Sequence, residues 1–181
     1  ILNSQSTPDE TAAMIVEPVL GEGGFVPAPP RFLQGLRKIC DATGILLIVD
    51  EVQTGFGRTG NMWGHSSSNI VPDIMTMAKG IASGLPLSVI GASRDLMNKW
   101  PSGAHGGTYG GGSALAMVAA IATLEIIQEE NLVENVVAMG NHLRKRLQEV
   151  VANTNLPIEV RGPGLMIGIE LGTPEEPNSE M

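Results

Sequence analysis

A single cysteine, Cys40, stands in 181 residues. It excludes an internal disulfide and suits a reducing compartment. Basic residues are scarce, 11 lysines and arginines against 19 acids for a net charge of −8. That balance argues against nucleic acid, which needs a basic surface to displace counterions, and weakly against anionic membranes. Long apolar runs are missing as well. The longest uncharged apolar helical stretch, Ala114 to Leu124, is too short to span a bilayer. The N-terminal ILNSQSTPDETAA lacks the basic-then-apolar pattern of a signal peptide. The three histidines, His65, His105 and His142, have no metal-ligand spacing, and they read with Arg58 as loop or surface residues. No internal repeat is present. What remains is 43% hydrophobic and 17% charged, a globular composition with material for one core or one and a half.

The stretch from Ile45 to Gly84 organises the rest. An apolar run, Ile45 to Val49, ends abruptly on Asp50 and Glu51, and reads as a buried strand of a parallel sheet. Ligands of open α/β sheets gather beyond the carboxyl ends of strands, which is where Asp50 stands. Lys79 follows in a segment with no other charge between Asp73 and Arg94. Small apolar surroundings would strip water from its ammonium and favour the neutral, nucleophilic amine. An acid at a strand end and an isolated lysine together suggest a Schiff-base cofactor site.

Taken in order, Ala12 to Glu17 reads as a strand that Pro18 keeps from becoming helix, and Gly21 to Phe25 (GEGGF) as a flexible loop carrying Glu22. Pro29 and Pro30 open a helix whose apolar face is Phe32, Leu33, Leu36, Ile39 and Cys40, and Gly44 stops it. Cys40 on that face is a buried structural thiol. Strand, helix and strand form a βαβ unit, so the two strands are parallel. Asp73 to Met77 and Ser88 to Ala92 are further strands, with a short helix at Arg94 to Lys99. After the loop HGGTYGGGS, the helix from Ala114 to Gln128 is apolar all round and should be buried on every side, inside a domain or between subunits. Asn131 to Ala152 is amphipathic, with Leu132, Val136, Met139, Leu143, Leu147 and Val150 on one face. Glu159–Arg161, the turn Gly162-Pro163-Gly164, and Leu165–Leu171 read as a hairpin of a smaller lobe, before a loose acidic tail. The first residue is Ile1 and a strand signal follows almost at once, so the chain reads as part of something larger.

Asp50-Glu51-Val52-Gln53 followed by Lys79, with EPVLGEGG before it and HGGTYGG after, resembles the signature of the class-III pyridoxal-phosphate aminotransferases. The resemblance runs from Ala12 to about Leu171, and several blocks in the right order are more specific than any one. It implies an α/β fold of type I, with residues 1–130 part of a large cofactor-binding domain on a mainly parallel sheet. Residues 131–181 would begin the small α/β C-terminal domain.

The cofactor implied is pyridoxal 5'-phosphate (PLP). Lys79 would form the Schiff base and shuttle the substrate proton, and Asp50 would keep the ring nitrogen protonated. By the same resemblance Val52 packs on the ring and Gln53 bonds the ring hydroxyl oxygen. Thr108 would bind the phosphate of a neighbouring subunit's cofactor, implying a homodimer with shared sites. The block continues GGGSALA where the family has an asparagine–proline pair, a departure that bears on the start of the next helix. Glu22 corresponds to the glutamate that, in related ω-aminotransferases, pairs with a substrate-binding arginine and frees it for α-carboxylates. Glu17 would support the site, and Glu51 is structural. The implied reaction transfers an amino group from an ω-amino acid such as 4-aminobutyrate to 2-oxoglutarate. Acetylornithine transamination, glutamate-1-semialdehyde aminomutation and dialkylglycine decarboxylation are rivals, as is a silent interaction subunit that keeps the fold. A cytoplasmic location is expected, or the mitochondrial matrix if a transit peptide precedes Ile1. Made alone, the segment should have weak or no activity.

Overall fold

The computed structural model describes residues 2, 5–104, 112–154 and 156–172; Thr108 and His105 lie outside that set. Strand β1 (Ala13–Val16) leads into a small antiparallel pair, β2 (Val19–Leu20) and β3 (Val26–Pro27). Helix α1 (Pro30–Thr43) then crosses over to β4 (Leu46–Asp50), which lies parallel to β1 with Val16 opposite Val49. Strand β5 (Ile74–Met77) is parallel to β4, and β6 (Val89–Ala92) closes the sheet antiparallel to β5, giving the order β1-β4-β5-β6.

Helix α1 forms as its ends dictate. Pro30 occupies the first turn, where a missing N–H costs nothing, and Gly44 ends the helix in the left-handed region at φ 78°. Its buried residues, Leu33 and Cys40, pack with Ile45, Leu47, Val49 and Ile70. Phe32 and Ile39, expected on the same face, are exposed. Leu47 and Val49 are fully buried while Leu46, Ile48 and Asp50 on the other face of β4 are half-buried. The strand is thus sealed on the α1 side and only partly covered on the other. Asp73 fixes the sheet from outside the strand: its carboxylate accepts the Leu47 N–H at 2.7 Å and Arg37 Nη1 at 2.8 Å.

Beyond the short helix α2 (Arg94–Met97), capped by the Ser93 hydroxyl, come α3 (Ala114–Glu129) and α4 (Leu132–Ala152). The chain reverses between them at Asn131, φ 51°. The expectation that α3 is buried on every side is not met within this chain. Only Ala116 and Ala120 are buried, Ala120 against Ile81 and Ala82, while Leu115 is 67% and Ile121 58% exposed. Uniform apolarity marks a helix that must be covered, but no described element lies over its outer face.

The inner stripe of α4 is rotated from the expected one. Leu132, Val136 and Leu147 are half-buried, whereas Met139, Leu143 and Val150 are exposed. The contact is made by Gly140, where a Cβ would collide with the Gly164 carbonyl. A small residue allows closer backbone approach there than the apolar pattern anticipates. Strands β7 (Ile158–Arg161) and β8 (Gly168–Leu171) form the antiparallel hairpin, with Arg161 opposite Gly168.

Candidate active site

Asp50 and Lys79 stand at the carboxyl ends of neighbouring parallel strands. Asp50 lies opposite Thr76 of β5, the Glu51 N–H donates to the Thr76 carbonyl at 2.9 Å, and Lys79 follows three residues past Thr76. The Asp50 carboxylate accepts the Val52 N–H at 2.9 Å, which turns the chain off the strand and fixes the carboxyl. Lys79 has φ 45° and opens a tight 3-10 turn, Lys79–Ala82. A non-glycine residue in the left-handed region costs on the order of 1–3 kcal/mol, and such strain gathers at functional sites.

Among the described residues neither Asp50 nor Lys79 makes an ion pair. Lys79 is exposed, so the expectation that apolar neighbours strip its water is not met by the described residues. Lys79, Val52 and Gln53 line a cavity of about 1070 Å³ together with Phe25, Phe56, Arg58, Leu165, Met166 and the α3 residues Ala119 and Thr123. Asp50 borders a different concavity of about 580 Å³, with Glu17, Leu20 and Phe32. Strand register, rather than a shared cavity, is therefore what relates the acid to the amine.

Around them the loops are tied. Gln53 Nε2 donates to Glu22 Oε1 at 2.9 Å, joining the two residues expected to meet cofactor and substrate. Glu17 accepts the Gly21 N–H at 2.9 Å and so closes the base of the GEGGF loop. Glu51 has no exposed surface. Its carboxylate accepts the Thr54 hydroxyl, the Gly64 N–H at 2.9 Å, the His65 N–H at 3.0 Å and His65 Nδ1 at 2.7 Å. Burial alone would push this carboxyl up, but the hydrogen bonds from His65, Thr54 and Gly64 outweigh it and hold it below the usual range. Glu51 thus seals the segment 51–65, which carries Val52 and Gln53 at its start. His65, expected as a loop or surface residue, is buried as the partner of this acid; His142 is exposed.

Other contacts had no sequence signal. Arg161 Nε donates to the Gly24 carbonyl at 2.9 Å across 137 residues of chain, and the Leu165 N–H donates to the Arg58 carbonyl at 3.2 Å. Both bring the β7–β8 hairpin to the loops around Lys79.

The whole chain, residues 1–181, matches the family described as aminotransferase class-III. It is 46% identical over 163 residues to a [LysW]-aminoadipate semialdehyde/glutamate semialdehyde transaminase of Sulfolobus acidocaldarius, covering 90% of this chain and 42% of that protein. It is 42% identical to the 5-aminovalerate aminotransferase of Pseudomonas aeruginosa, covering 100% of this chain and 43% of that one. Among solved structures it resembles the ornithine aminotransferase of Toxoplasma gondii, seen with partial occupancy of PLP at its active site. That match has a TM-score of 0.86 at 33% identity and covers 92% of this chain and 39% of that one. The chain therefore spans about two-fifths of the length of these relatives. With the signature residues at the ends of β4 and β5, the chain belongs to the class-III aminotransferases, PLP-dependent enzymes of fold type I.

Proposed function

We propose that these residues form the cofactor-attaching part of a transaminase that moves an amino group from an ω-amino acid such as 4-aminobutyrate to 2-oxoglutarate. The observation that carries this reading is the pair Asp50 and Lys79, ends of adjacent parallel strands, each without an ionic partner among the described residues.

The residues present fit PLP. The group needs an amine for its carbonyl carbon, an acid for its ring nitrogen and a donor for its ring oxygen; Lys79, Asp50 and Gln53 supply those types. The buried Thr76 hydroxyl, opposite Asp50 in the register, has no hydrogen-bond partner and offers a further donor there. When bound, PLP withdraws electrons from the substrate's amine-bearing carbon, which makes that carbon's proton acidic. Asp50, oriented by the Val52 amide, would keep a proton on the ring nitrogen. Lys79 would hold the cofactor and, once displaced by the incoming amine, move the proton at Nζ. Val52 would pack on the ring, and Thr108 would bind the phosphate across a homodimer.

Glu22 supports the choice of an ω-amino donor. It is exposed, held by Gln53 and unpaired with any described cation, so it is available to neutralise an arginine when the substrate lacks an α-carboxylate. Relatives named for 5-aminovalerate and for diaminobutyrate with 2-oxoglutarate are consistent with such a donor and acceptor. We also propose the division at residues 130 and 131, and a reducing, cytoplasmic setting suited to the buried Cys40 thiol.

Steady-state assays of the gene-encoded protein with 4-aminobutyrate, 5-aminovalerate, ornithine and acetylornithine against 2-oxoglutarate test the reading. The ω-amino acids without an α-amino group are expected to give the highest kcat/KM. Turnover of acetylornithine alone would overturn the substrate, and no turnover with any donor would favour the silent subunit.

A further inference from the structure

The loop that carries Glu22 is held in a costly shape. Gly24 has φ 103° and Phe25, with a full side chain, has φ 53°. Left-handed non-glycine residues persist only where their surroundings over-determine them. At its base the loop is tied by Glu17, and at Glu22 by Gln53. Its far end is held from the other lobe. Arg161 on β7, with a side chain 15% exposed, donates from Nε to the Gly24 carbonyl at 2.9 Å. The same guanidinium pairs with Glu170 on β8 and with Glu159 at 3.4 Å, so its fork is aimed by two acids. The approach is close: a Cβ on Gly168 would lie 2.8 Å from the Gly24 carbonyl oxygen.

We propose that Arg161 is a positioning residue for Glu22: through the Gly24 carbonyl it fixes the GEGGF loop from the β7–β8 hairpin and thereby sets how the site discriminates α-carboxylate substrates from ω-amino ones. The proposal rests on Glu22 having the gating role described above. Among the described residues the hydrogen bonds of Arg161 go to Gly24, Glu159 and Glu170, none of them assigned to the cofactor, so its effect belongs to the ω-amino half-reaction, in which Glu22 neutralises the arginine, and not to cofactor capture. Lysine at this position keeps the charge but cannot hold both acids and the carbonyl with one planar fork.

The test is a double-mutant cycle on the gene-encoded holoenzyme, with R161K and E22Q alone and together, and E170Q as a second way to loosen the fork. R161K is expected to raise the KM for the ω-amino donor about tenfold, with kcat within about twofold and an unchanged visible cofactor band. E170Q should move KM in the same direction. In the E22Q background R161K should change KM by less than about twofold, because the residue it positions is already gone. Equal effects of R161K with and without Glu22, or a lowered Tm with no change in KM, would overturn the proposal. Wild-type protein without transamination would sink both this inference and the transaminase reading, whereas additivity in an active enzyme would sink this one alone.

Discussion

Two regions that each carry an apolar run end up in opposite conditions. The segment from Leu46 to Ser68 is closed by the chain itself: Leu47 and Val49 are fully buried, and Glu51 holds four hydrogen bonds within its own loop. Helix α3, more uniformly apolar, leaves Leu115, Val118 and Ile121 in water. An apolar pattern states that a surface must be covered, but not by which element. Polar anchors such as Glu51 and Asp73 show where a chain covers itself, because a buried acid is tolerable only where its partners are built in.

The contrast can be broken hardest at Glu51. Glu51→Ala leaves two amides, the Thr54 hydroxyl and His65 without their acceptor, and is expected to cost about 3–5 kcal/mol of unfolding free energy, read from a denaturant midpoint. The same acid sets an acid limit. Its folded pKa lies below the ordinary value, so its contribution is fully present above the unfolded carboxyl range and is lost as pH falls through the folded one. Glu51→Gln should therefore flatten the acid limb of a stability–pH curve; an unchanged limb would show that Asp73, also held low against its burial by the Leu47 amide and Arg37, carries it.

Gly140→Ala comes next. Its Cβ would strike the Gly164 backbone, which is itself packed on Thr59 and Gly60, and overpacking of this kind costs about 1–3 kcal/mol. A thermal scan should show a lowered Tm, and no change would mean that α4 slides freely over the turn. The smallest effect belongs to α3. Ile121→Ser should leave the unfolding free energy of the 181-residue chain within about 0.5 kcal/mol, as for other exposed positions. In sedimentation it should weaken the proposed dimer if a second copy covers this face. A large loss of stability in the chain itself would place Ile121 in an interior the structure does not show.

Local chemistry explains what could be read in advance. The βαβ order, the proline start and glycine stop of α1, and Asp50 and Lys79 at successive strand ends all follow from short-range signals. What covers α3, inside the domain or between subunits, and which face of α4 turns inward are not local properties, because both depend on which distant segment arrives. Gly140, a poor helix former, marks the α4 contact better than the leucines do. The burial of His65 has no local signature because nothing in its sequence neighbourhood names Glu51 as its partner. The Arg161–Gly24 contact, across 137 residues, has no local signature.

The account turns on Lys79. Incubating the protein with PLP, reducing with borohydride and mapping the peptides by mass should place the cofactor on the peptide containing Lys79, and Lys79→Ala should abolish both that mass and the visible absorption band. Cofactor found on another lysine, or a band that survives Lys79→Ala, would contradict it.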